Sequence, residues 1–173
     1  TLIEGCLNVY FDSIWGGLGI GVFDVFIDCT VHAVTGIRYY SGTVVYHKEL
    51  NLAMPAQNER LLLRFPRLGS LARVWVNGKE VVTVWCSPWE ADITSYVHEG
   101  KNNLKIEVVN SLMNRMIGDA SLPESERFTY AYPQIATPTD KLVPSGIMEQ
   151  LNLVYRQCQQ QENAFTYQSG TKH

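Results

Sequence analysis

The amino-acid sequence predicts an all-β protein, an antiparallel β-sandwich made of two sheets. Apolar and polar residues alternate with a period of two in several short segments, which is typical of strands that bury one face. The dipeptide Asn77-Gly78 separates two runs rich in β-branched residues, as in a tight hairpin. Segments with the period of amphipathic helices are few, which favours a sandwich over a fold that alternates strands and helices.

The first two clear strands are predicted at residues 42–50 and 60–65. Apolar residues recur at alternate positions in both segments, so one face of each strand enters the core. A break at Pro66 and Gly69 ends the second strand. The inward-facing residues are Val44, Tyr46, Leu50, Leu61, Leu63 and Phe65.

The hairpin at residues 72–85 supplies two more strands, because both central positions of its turn favour positive φ. Within it, Trp75 points away from the face that carries Val74 and Val76. A fifth strand is expected at residues 102–111, and a last one at 151–155 closes the sheet. The inward-facing residues of these two segments are Leu104, Ile106, Val108, Leu151, Leu153 and Tyr155.

The chain is divided into three parts by these patterns. Residues 37–156 form the predicted sandwich domain. Residues 1–36 are expected to be a lead-in segment that is partly strand, with candidate strands at 8–12 and 22–27 around a glycine-rich loop. Residues 157–173 are polar and aperiodic, which predicts a flexible tail.

The composition is that of an ordinary globular domain with one core. Hydrophobic residues make up 46% of the 173 residues and charged residues 18%, with a formal net charge of -3. Lys and Arg are scattered, without the basic run that follows a phosphate backbone, so no nucleic acid partner is expected. The apolar runs are far shorter than the roughly 20 residues that span a bilayer, and the start lacks a secretion-signal pattern. We therefore expect no membrane partner, and a mature or excised piece.

No cofactor is predicted. Cys6, Cys29, Cys86 and Cys158 are far apart, so we interpret them as free thiols, most of them packed in the interior. The four histidines lack partners at ligand spacing, which argues against zinc. Asp92 leaves a structural calcium open, although the closely spaced acidic cluster typical of such sites is missing from the sequence.

Three motifs carry a resemblance to a known family. They are YYSGT at residues 39–43, the VNGK hairpin followed by W-x-x-P-W-x-x-D-I-T at 85–94, and N-R-x-I-G-D at 114–119. In this order they resemble the galactose-binding-like jelly-roll domain attached to glycoside hydrolases of family 2 and, more closely, to the α-L-rhamnosidase type of family 106. The resemblance extends over residues 36–155 and implies a jelly-roll sandwich.

The resemblance also implies a function. In that family the hydrolytic carboxylates lie on a separate (β/α) barrel domain, for which this chain is too short. We therefore expect a non-catalytic carbohydrate-binding or architectural domain of a larger hydrolase, whose partners are a carbohydrate and the catalytic barrel domain. Because the parent enzymes are commonly exported, the resemblance implies a secreted or periplasmic location.

Two alternatives to this function stay open. In the first alternative the chain is itself a glycosidase, although the sequence marks none of its 17 acidic residues as one of the facing pair that hydrolysis needs. Otherwise it is a purely structural interdomain module without a sugar site.

Three aromatic residues are candidates for binding carbohydrate. Trp85 and Trp89 frame the loop after the hairpin, and a flat aromatic face stacks on the C–H face of a sugar. The alternative is that both rings pack against the sheets, since tryptophan is buried on average. Tyr40, with its neighbour Tyr39, either lines the same rim or buries its ring at the start of the first core strand.

Three polar residues complete the predicted site. Asn114, Arg115 and Asp119 follow the strand at residues 102–111, where a guanidinium and a carboxylate can hydrogen-bond to sugar hydroxyls. The alternative is a structural salt bridge between Arg115 and Asp119 that shapes the loop.

Overall fold

The computed structural model describes residues 1–131 and 135–158, and nine strands and two short α-helices lie within them. The strands are β1 (Leu7–Phe11), β2 (Gly19–Phe23), β3 (Thr43–Leu52), β4 (Glu59–Arg64), β5 (Leu71–Val76), β6 (Lys79–Val84), β7 (Glu90–Asp92), β8 (Gly100–Val109) and β9 (Asn152–Gln157). The helices are α1 (Thr35–Arg38) and α2 (Met113–Asp119), and single 3-10 turns occur at Ser13–Trp15, Cys29–Val31, Thr94–Tyr96 and Glu124–Glu126.

The strands form two antiparallel sheets, which confirms the predicted β-sandwich. The larger sheet has the order β2-β1-β3-β8-β5-β6, and the smaller sheet has the order β7-β4-β9. One buried cluster takes side chains from both sheets, for example Val44 and Ile106 from the larger sheet and Leu61 and Leu63 from the smaller one. The core therefore lies between the two sheets.

The alternation of residues along the central strands is confirmed. Val44, Tyr46 and Leu50 of β3 are at most 8% exposed, and β3 pairs with β8 over its whole length, from Thr43 opposite Val109 to Leu52 opposite Gly100. At the hairpin between β5 and β6, Asn77 and Gly78 have φ values of 51° and 79°, as expected for a turn with two left-handed positions.

The outer face of the larger sheet carries Trp75, as the alternation of β5 predicts. The Nζ atom of Lys105 lies 3.8 Å from the centre of the Trp75 ring, which is a cation–π contact across neighbouring strands. Arg73 pairs with Glu107 on the same face.

Residues 1–36 were expected to be a lead-in segment that is partly strand, and two strands, β1 and β2, lie within it and belong to the larger sheet. Strand β1 pairs with both β2 and β3, and its residues Leu7, Val9 and Phe11 are at most 2% exposed. The residues before β1 also contact the start of the smaller sheet, because the amide of Ile3 donates to the carbonyl of Leu151, which directly precedes β9. At the other terminus, β9 extends to Gln157, and the remainder of the predicted tail, residues 159–173, lies outside the described residues.

One end of the larger sheet collects the loops that carry the predicted site. Thr43 and Leu71, the first residues of β3 and β5, both pair with Val109, the last residue of β8. Strands β1 and β6 also end here, since Phe11 pairs with Val44 and Val84 pairs with Ala72. We call this end of the larger sheet the loop end. It carries the connections after β1, β6 and β8 and the turn that precedes β3.

Candidate functional site

Three residues separate the end of β8 from the start of helix α2, which carries a buried ion pair. The Nε atom of Arg115 lies 2.9 Å from Oδ1 of Asp119, and the two side chains are 6% and 3% exposed. The other carboxylate oxygen of Asp119 accepts hydrogen bonds from the amide of Phe128 and from the amide and hydroxyl of Thr129, at 3.0, 2.7 and 2.7 Å. Asp119 therefore ties the segment at residues 128–129 to α2.

Asn114 also has a structural role. Its Nδ2 donates to the carbonyl of Val143, and its Oδ1 accepts from the amide of Val143, both at 2.7 Å. The residue is 1% exposed. Asn114 and Asp119 were candidates for contacts to sugar hydroxyls, and the structure corrects this, because their polar atoms have partners within the protein and both residues are buried. The alternative, a structural salt bridge between Arg115 and Asp119, is present.

Tyr40 lies in the core, which corrects its assignment to a sugar-binding rim. It is 0% exposed, and its ring packs edge-on against Phe11 with the centroids 5.1 Å apart. The hydroxyl donates to the carbonyl of Thr43 and accepts from the amide of Asp12. Burial of this hydroxyl raises the pKa of Tyr40. Its neighbour Tyr39 lies against Gly118 of α2 instead.

A cavity of about 450 Å³ opens beside α2, and Arg115 lines it. We call it the Arg115 pocket. Among the described residues, no hydrogen-bond acceptor pairs with Nη1 or Nη2 of Arg115. Its Nε donates to Asp119, and its backbone amide donates to the hydroxyl of Ser41. The pocket is lined by Gly16, Leu18, Val34, Thr35, Gly36, Tyr39, Arg115, Gly118, Ser121, Leu122 and Phe128.

Close packing fixes the guanidinium in this pocket. The Phe128 ring centre lies 4.8 Å from Cζ of Arg115, which is a cation–π contact on one face of the guanidinium. A Cβ atom at Gly118 would lie 2.8 Å from Nη2, and one at Gly16, where φ is 75°, would lie 3.1 Å from Nη1. Glycine at both positions therefore leaves room for the two terminal nitrogens.

The two tryptophans of the predicted site differ in exposure. Trp85 is 69% exposed and follows β6 at the loop end. Trp89 is partly buried against the core, and its carbonyl accepts from the amide of Phe65. The packing alternative therefore describes Trp89, whereas the ring of Trp85 is accessible.

The structure does not bring Trp85 into the Arg115 pocket. Ala72 of β5 pairs with Val84 of β6 on one side and with Val108 of β8 on the other, so β5 lies between the strand that leads to Trp85 and the strand that leads to α2. The ends of β6 and β8 are therefore about 10 Å apart at the usual strand spacing. Any contribution of Trp85 to binding has to come from a separate surface.

Asp92, considered for calcium, has other partners. Its carboxylate accepts from the amide and hydroxyl of Thr94 and forms an ion pair with Arg60 at 3.4 Å. Within residues 1–131 and 135–158, no group of three or more His, Cys, Asp or Glu side chains is arranged to hold a metal ion. No helix in the described part of the chain is long and apolar enough to cross a membrane.

The cysteines are mostly exposed, which corrects the expectation that most are packed. Cys6, Cys86 and Cys158 lie outside the strands and are exposed, whereas Cys29 is buried. Burial is the main cause that raises the pKa of the Cys29 thiol to about 11.

Sequence reasoning found Arg115 but missed the residues that build the pocket around it. Phe128 and Leu122 lie in a loop without periodicity, and Gly16 is more than ninety positions from Arg115 in the chain. One usable signal was the spacing of Arg115 and Asp119, because residues four apart face each other on a helix.

Comparisons with known proteins identify the family and agree with the β-sandwich fold. Residues 23–156 match the family model described as glycosyl hydrolases family 2, sugar binding domain. The solved rhamnosidase from Novosphingobium sp. PP1Y is similar to this chain with a TM-score of 0.85 and 28% identity, over 90% of this chain and 15% of that chain.

Two further relatives are similar over shorter stretches. The solved beta-glucuronidase from Ruminococcus gnavus has a TM-score of 0.51 and 22% identity, over 64% of this chain and 20% of that chain, and shows a similar fold. A curated protein of Formosa agariphila, which carries the provisional name beta-glucuronidase, is 40% identical over 90 residues, or 51% of this chain. The chain spans 8% of the length of that curated relative.

Proposed function

Because the chain belongs to the family of sugar-binding domains of glycosyl hydrolases family 2, we propose that it is a non-catalytic domain of a larger glycoside hydrolase and binds carbohydrate in the Arg115 pocket. The observation that carries the proposal is the buried guanidinium of Arg115, which lines an open cavity with two terminal nitrogens that lack an acceptor among the described residues.

The pocket has the size and the walls of a small-ligand site. Its volume of about 450 Å³ falls in the range of ligand pockets, which combine apolar walls with a few polar groups that set the orientation of the ligand. Leu18, Val34 and Leu122 supply apolar surface for the C–H face of a sugar, and the exposed residues Thr35 and Ser121 also line the pocket.

The lining of the Arg115 pocket supports a non-catalytic role for this site. Glycoside hydrolysis needs two carboxyl groups that face each other across the scissile bond, about 5 to 10 Å apart. Within the described residues no Asp or Glu lines the Arg115 pocket. Both carboxylate oxygens of the nearby Asp119 accept hydrogen bonds from other protein groups. The hydrolytic groups therefore belong to another part of the parent protein in this proposal.

A parent of the rhamnosidase type is the more specific form of the proposal. Its support is the TM-score of 0.85 over 90% of this chain for the rhamnosidase, against 0.51 over 64% for the beta-glucuronidase from Ruminococcus gnavus. The expected ligand is then a sugar unit of the polysaccharide on which the parent acts.

Calorimetric titration of the purified chain with a panel of monosaccharides and oligosaccharides, including L-rhamnose and galactose, tests the proposal. We expect saturable binding that Ser121→Trp abolishes, because the indole would fill the rim of the pocket. Ser125→Trp is the matched control, since Ser125 is also an exposed serine but does not line the pocket. Absence of binding to every sugar, or equal binding by both variants, contradicts the proposal.

A second candidate function is architectural, and a specific surface favours it. Strand β2 is the edge of the larger sheet, and its Ile20 and Val22 are 77% and 66% exposed. Tyr10, paired with Ile20, is 41% exposed on the same face, and Leu18 beside them is 62% exposed. Exposed apolar area of this kind on part of a longer protein is typical of an interdomain contact.

The architectural role is tested by the double substitution Ile20→Thr and Val22→Thr. If the strip contacts another domain, the substitution lowers the melting temperature of the full-length parent but leaves that of the isolated chain within about 1 °C. Equal effects on both proteins would argue against an interdomain contact at β2.

A further inference from the structure

We propose that the Arg115 pocket recognises a carboxylate, specifically that of a uronic acid residue in the carbohydrate ligand. This inference rests on the proposed function, that is, on the binding of carbohydrate in this pocket. It adds the chemical class of the sugar, which the fold and the comparisons leave open.

The first argument is the hydrogen-bonding state of Arg115. Its side chain is 6% exposed, and among the described residues its one side-chain hydrogen bond runs from Nε to Asp119. Nη1 and Nη2 are not among the buried polar atoms that lack a partner, and the residue lines the open cavity, so both nitrogens stay accessible to a ligand. Hydrogen bonds from a guanidinium to an ionised acceptor are stronger than those to a neutral hydroxyl, so a carboxylate suits these donors best.

The second argument is the charge around the pocket. Arg115 is the one charged residue among those that line the cavity in the described structure, so the ligand meets the guanidinium and no carboxylate. Asp119 balances the charge of Arg115 in the ion pair as a whole, but it contacts Nε and does not line the cavity, so the potential at the cavity wall is locally positive. An anionic ligand is therefore favoured over a neutral sugar.

The third argument is shape. The terminal nitrogens of a guanidinium match the two oxygens of a carboxylate in a bidentate, planar pair, which is stronger and more directional than contacts to single hydroxyl groups. Asp119 at Nε, the Phe128 ring on the guanidinium face, and Gly16 and Gly118 beside Nη1 and Nη2 keep this edge in place. Little conformational entropy is then lost when the ligand binds.

The remaining wall of the pocket suits a sugar ring better than a simple anion. Leu18, Val34 and Leu122 line the cavity, and Tyr39 lies against Gly118. An inorganic anion leaves these apolar groups uncovered, whereas a pyranose ring covers them while its carboxylate reaches Arg115. The combination of apolar walls and one buried guanidinium therefore indicates an acidic sugar.

The test compares sugars of the same ring configuration that carry either a carboxylate or an uncharged group at C6. Purified chain is titrated calorimetrically with D-glucuronate and D-galacturonate, with the methyl ester of each, and with D-glucose and D-galactose. We expect at least one uronate to bind ten times or more tightly than its ester and its neutral counterpart, and high salt to reduce this preference. Sodium acetate serves as the control anion and is expected to bind at least tenfold more weakly than the uronate.

Two variants locate the preference in the pocket. Ser121→Trp is expected to abolish binding of every sugar, whereas Arg115→Lys is expected to retain weak binding but lose the preference for the acid over the ester. Thermal unfolding of each variant shows whether it is folded, and the comparison of acid with ester on the unaltered chain does not depend on any variant.

The outcomes separate this inference from the proposed function. Equal affinity for acid, ester and neutral sugar, with all binding lost in Ser121→Trp, overturns the carboxylate preference and leaves carbohydrate binding in place. Equal affinity for acetate and uronate overturns the requirement for a sugar ring. No binding of any sugar overturns both proposals, and favours an acidic side chain from another domain of the parent as the partner of Arg115.

Discussion

The Nε atom of Arg115 lies 2.9 Å from Oδ1 of Asp119, one helical turn further along α2, and neither side chain is more than 6% exposed. The desolvation of a buried ion pair opposes folding, so such a pair is weak evidence of stabilisation by itself. Here the pair has another consequence. Asp119 orients the guanidinium through a single nitrogen and leaves the other two available to the Arg115 pocket.

Loss of the Asp119 charge is expected to destabilise the fold strongly. Asp119→Asn leaves the Arg115 charge buried without a counter-charge and disturbs the acceptor of Phe128 and Thr129. The expected loss is about 3 to 5 kcal/mol in the free energy of unfolding. Denaturation in urea measures it.

Glu49→Gln is the control for this prediction, because Glu49 pairs with Lys101 on the surface, where the side chains are 56% and 78% exposed. Removing this charge should cost less than about 1 kcal/mol. Similar losses in both variants would contradict the importance of the buried pair.

Alkaline pH is expected to destabilise the protein through Cys29. Burial raises the pKa of its thiol from 9.0 to about 11, so the folded protein keeps this proton at a pH where the unfolded chain has lost it. The stability is fully present below pH 9 and is lost as the pH rises towards 11, by roughly 2 to 3 kcal/mol in all. Burial also raises the pKa of Tyr46, which adds to the loss in the same direction.

Urea denaturation between pH 7 and pH 11 measures this dependence. Cys29→Ala is the matched variant, since it removes the thiol and keeps Tyr46. Its unfolding free energy is lower at pH 7, because a small cavity forms, but should fall less steeply above pH 9. An unchanged slope would assign the alkaline loss to other groups.

The side-chain hydrogen bonds of Asn77 are expected to contribute more to the stability of the protein than its left-handed backbone conformation does. Its Nδ2 donates to the carbonyl of Tyr96 and to Oδ1 of the buried Asn102, and its Oδ1 accepts from the amide of Asn103. Asn77→Gly retains the left-handed turn but removes these bonds, which should cost about 2 to 3 kcal/mol. Chemical denaturation is the measurement.

Gly78→Ala is the comparison for Asn77→Gly. Gly78 also has a positive φ, but an added Cβ would meet nothing within 4 Å, so only the backbone preference is lost. The expected cost is about 1 kcal/mol. If the alanine variant were the less stable of the two, turn conformation rather than the Asn77 hydrogen bonds would dominate.

Replacing the two tryptophans of the predicted site by alanine should change the free energy of unfolding by clearly different amounts. Trp85→Ala is expected to change the unfolding free energy by less than about 0.5 kcal/mol, because the ring is 69% exposed. Trp89→Ala removes a ring packed against the core and should cost about 2 kcal/mol or more. Denaturation curves give both values.

Titration of Trp85→Ala with the sugars described above tests whether this ring takes part in binding. Since β5 lies between Trp85 and α2, we expect affinity in the Arg115 pocket to be unchanged. A loss of affinity comparable to that in Ser121→Trp would instead place the sugar on the surface around Trp85.

The central strands could be predicted from the sequence because their signal is local. Alternate side chains of a strand point to opposite faces, so the apolar positions Val44, Tyr46, Ile106 and Val108 are enough to identify a half-buried strand. The turn at Asn77 and Gly78 is equally local, since its φ values depend on the residues themselves.

The place of strand β1 in the sandwich could not be predicted from a local pattern. Leu7, Val9 and Phe11 alternate with polar residues as clearly as β3 does, but the segment is short and a glycine-rich loop follows it. It belongs to the sandwich because it pairs with residues 44–47, some 35 positions further along the chain. No local window contains that partner.

The sequence by itself determined the fold class, the central strands, and the presence of a guanidinium and a carboxylate four residues apart. Only the tertiary structure decided their roles, because Asp119 meets Thr129 and Asn114 meets Val143 through contacts that the whole fold brings together. The same packing buries Tyr40, exposes Trp85, and places Gly16 next to Arg115. Residue types and spacing determine which contacts are chemically possible, whereas burial and neighbours far along the chain decide which of them form.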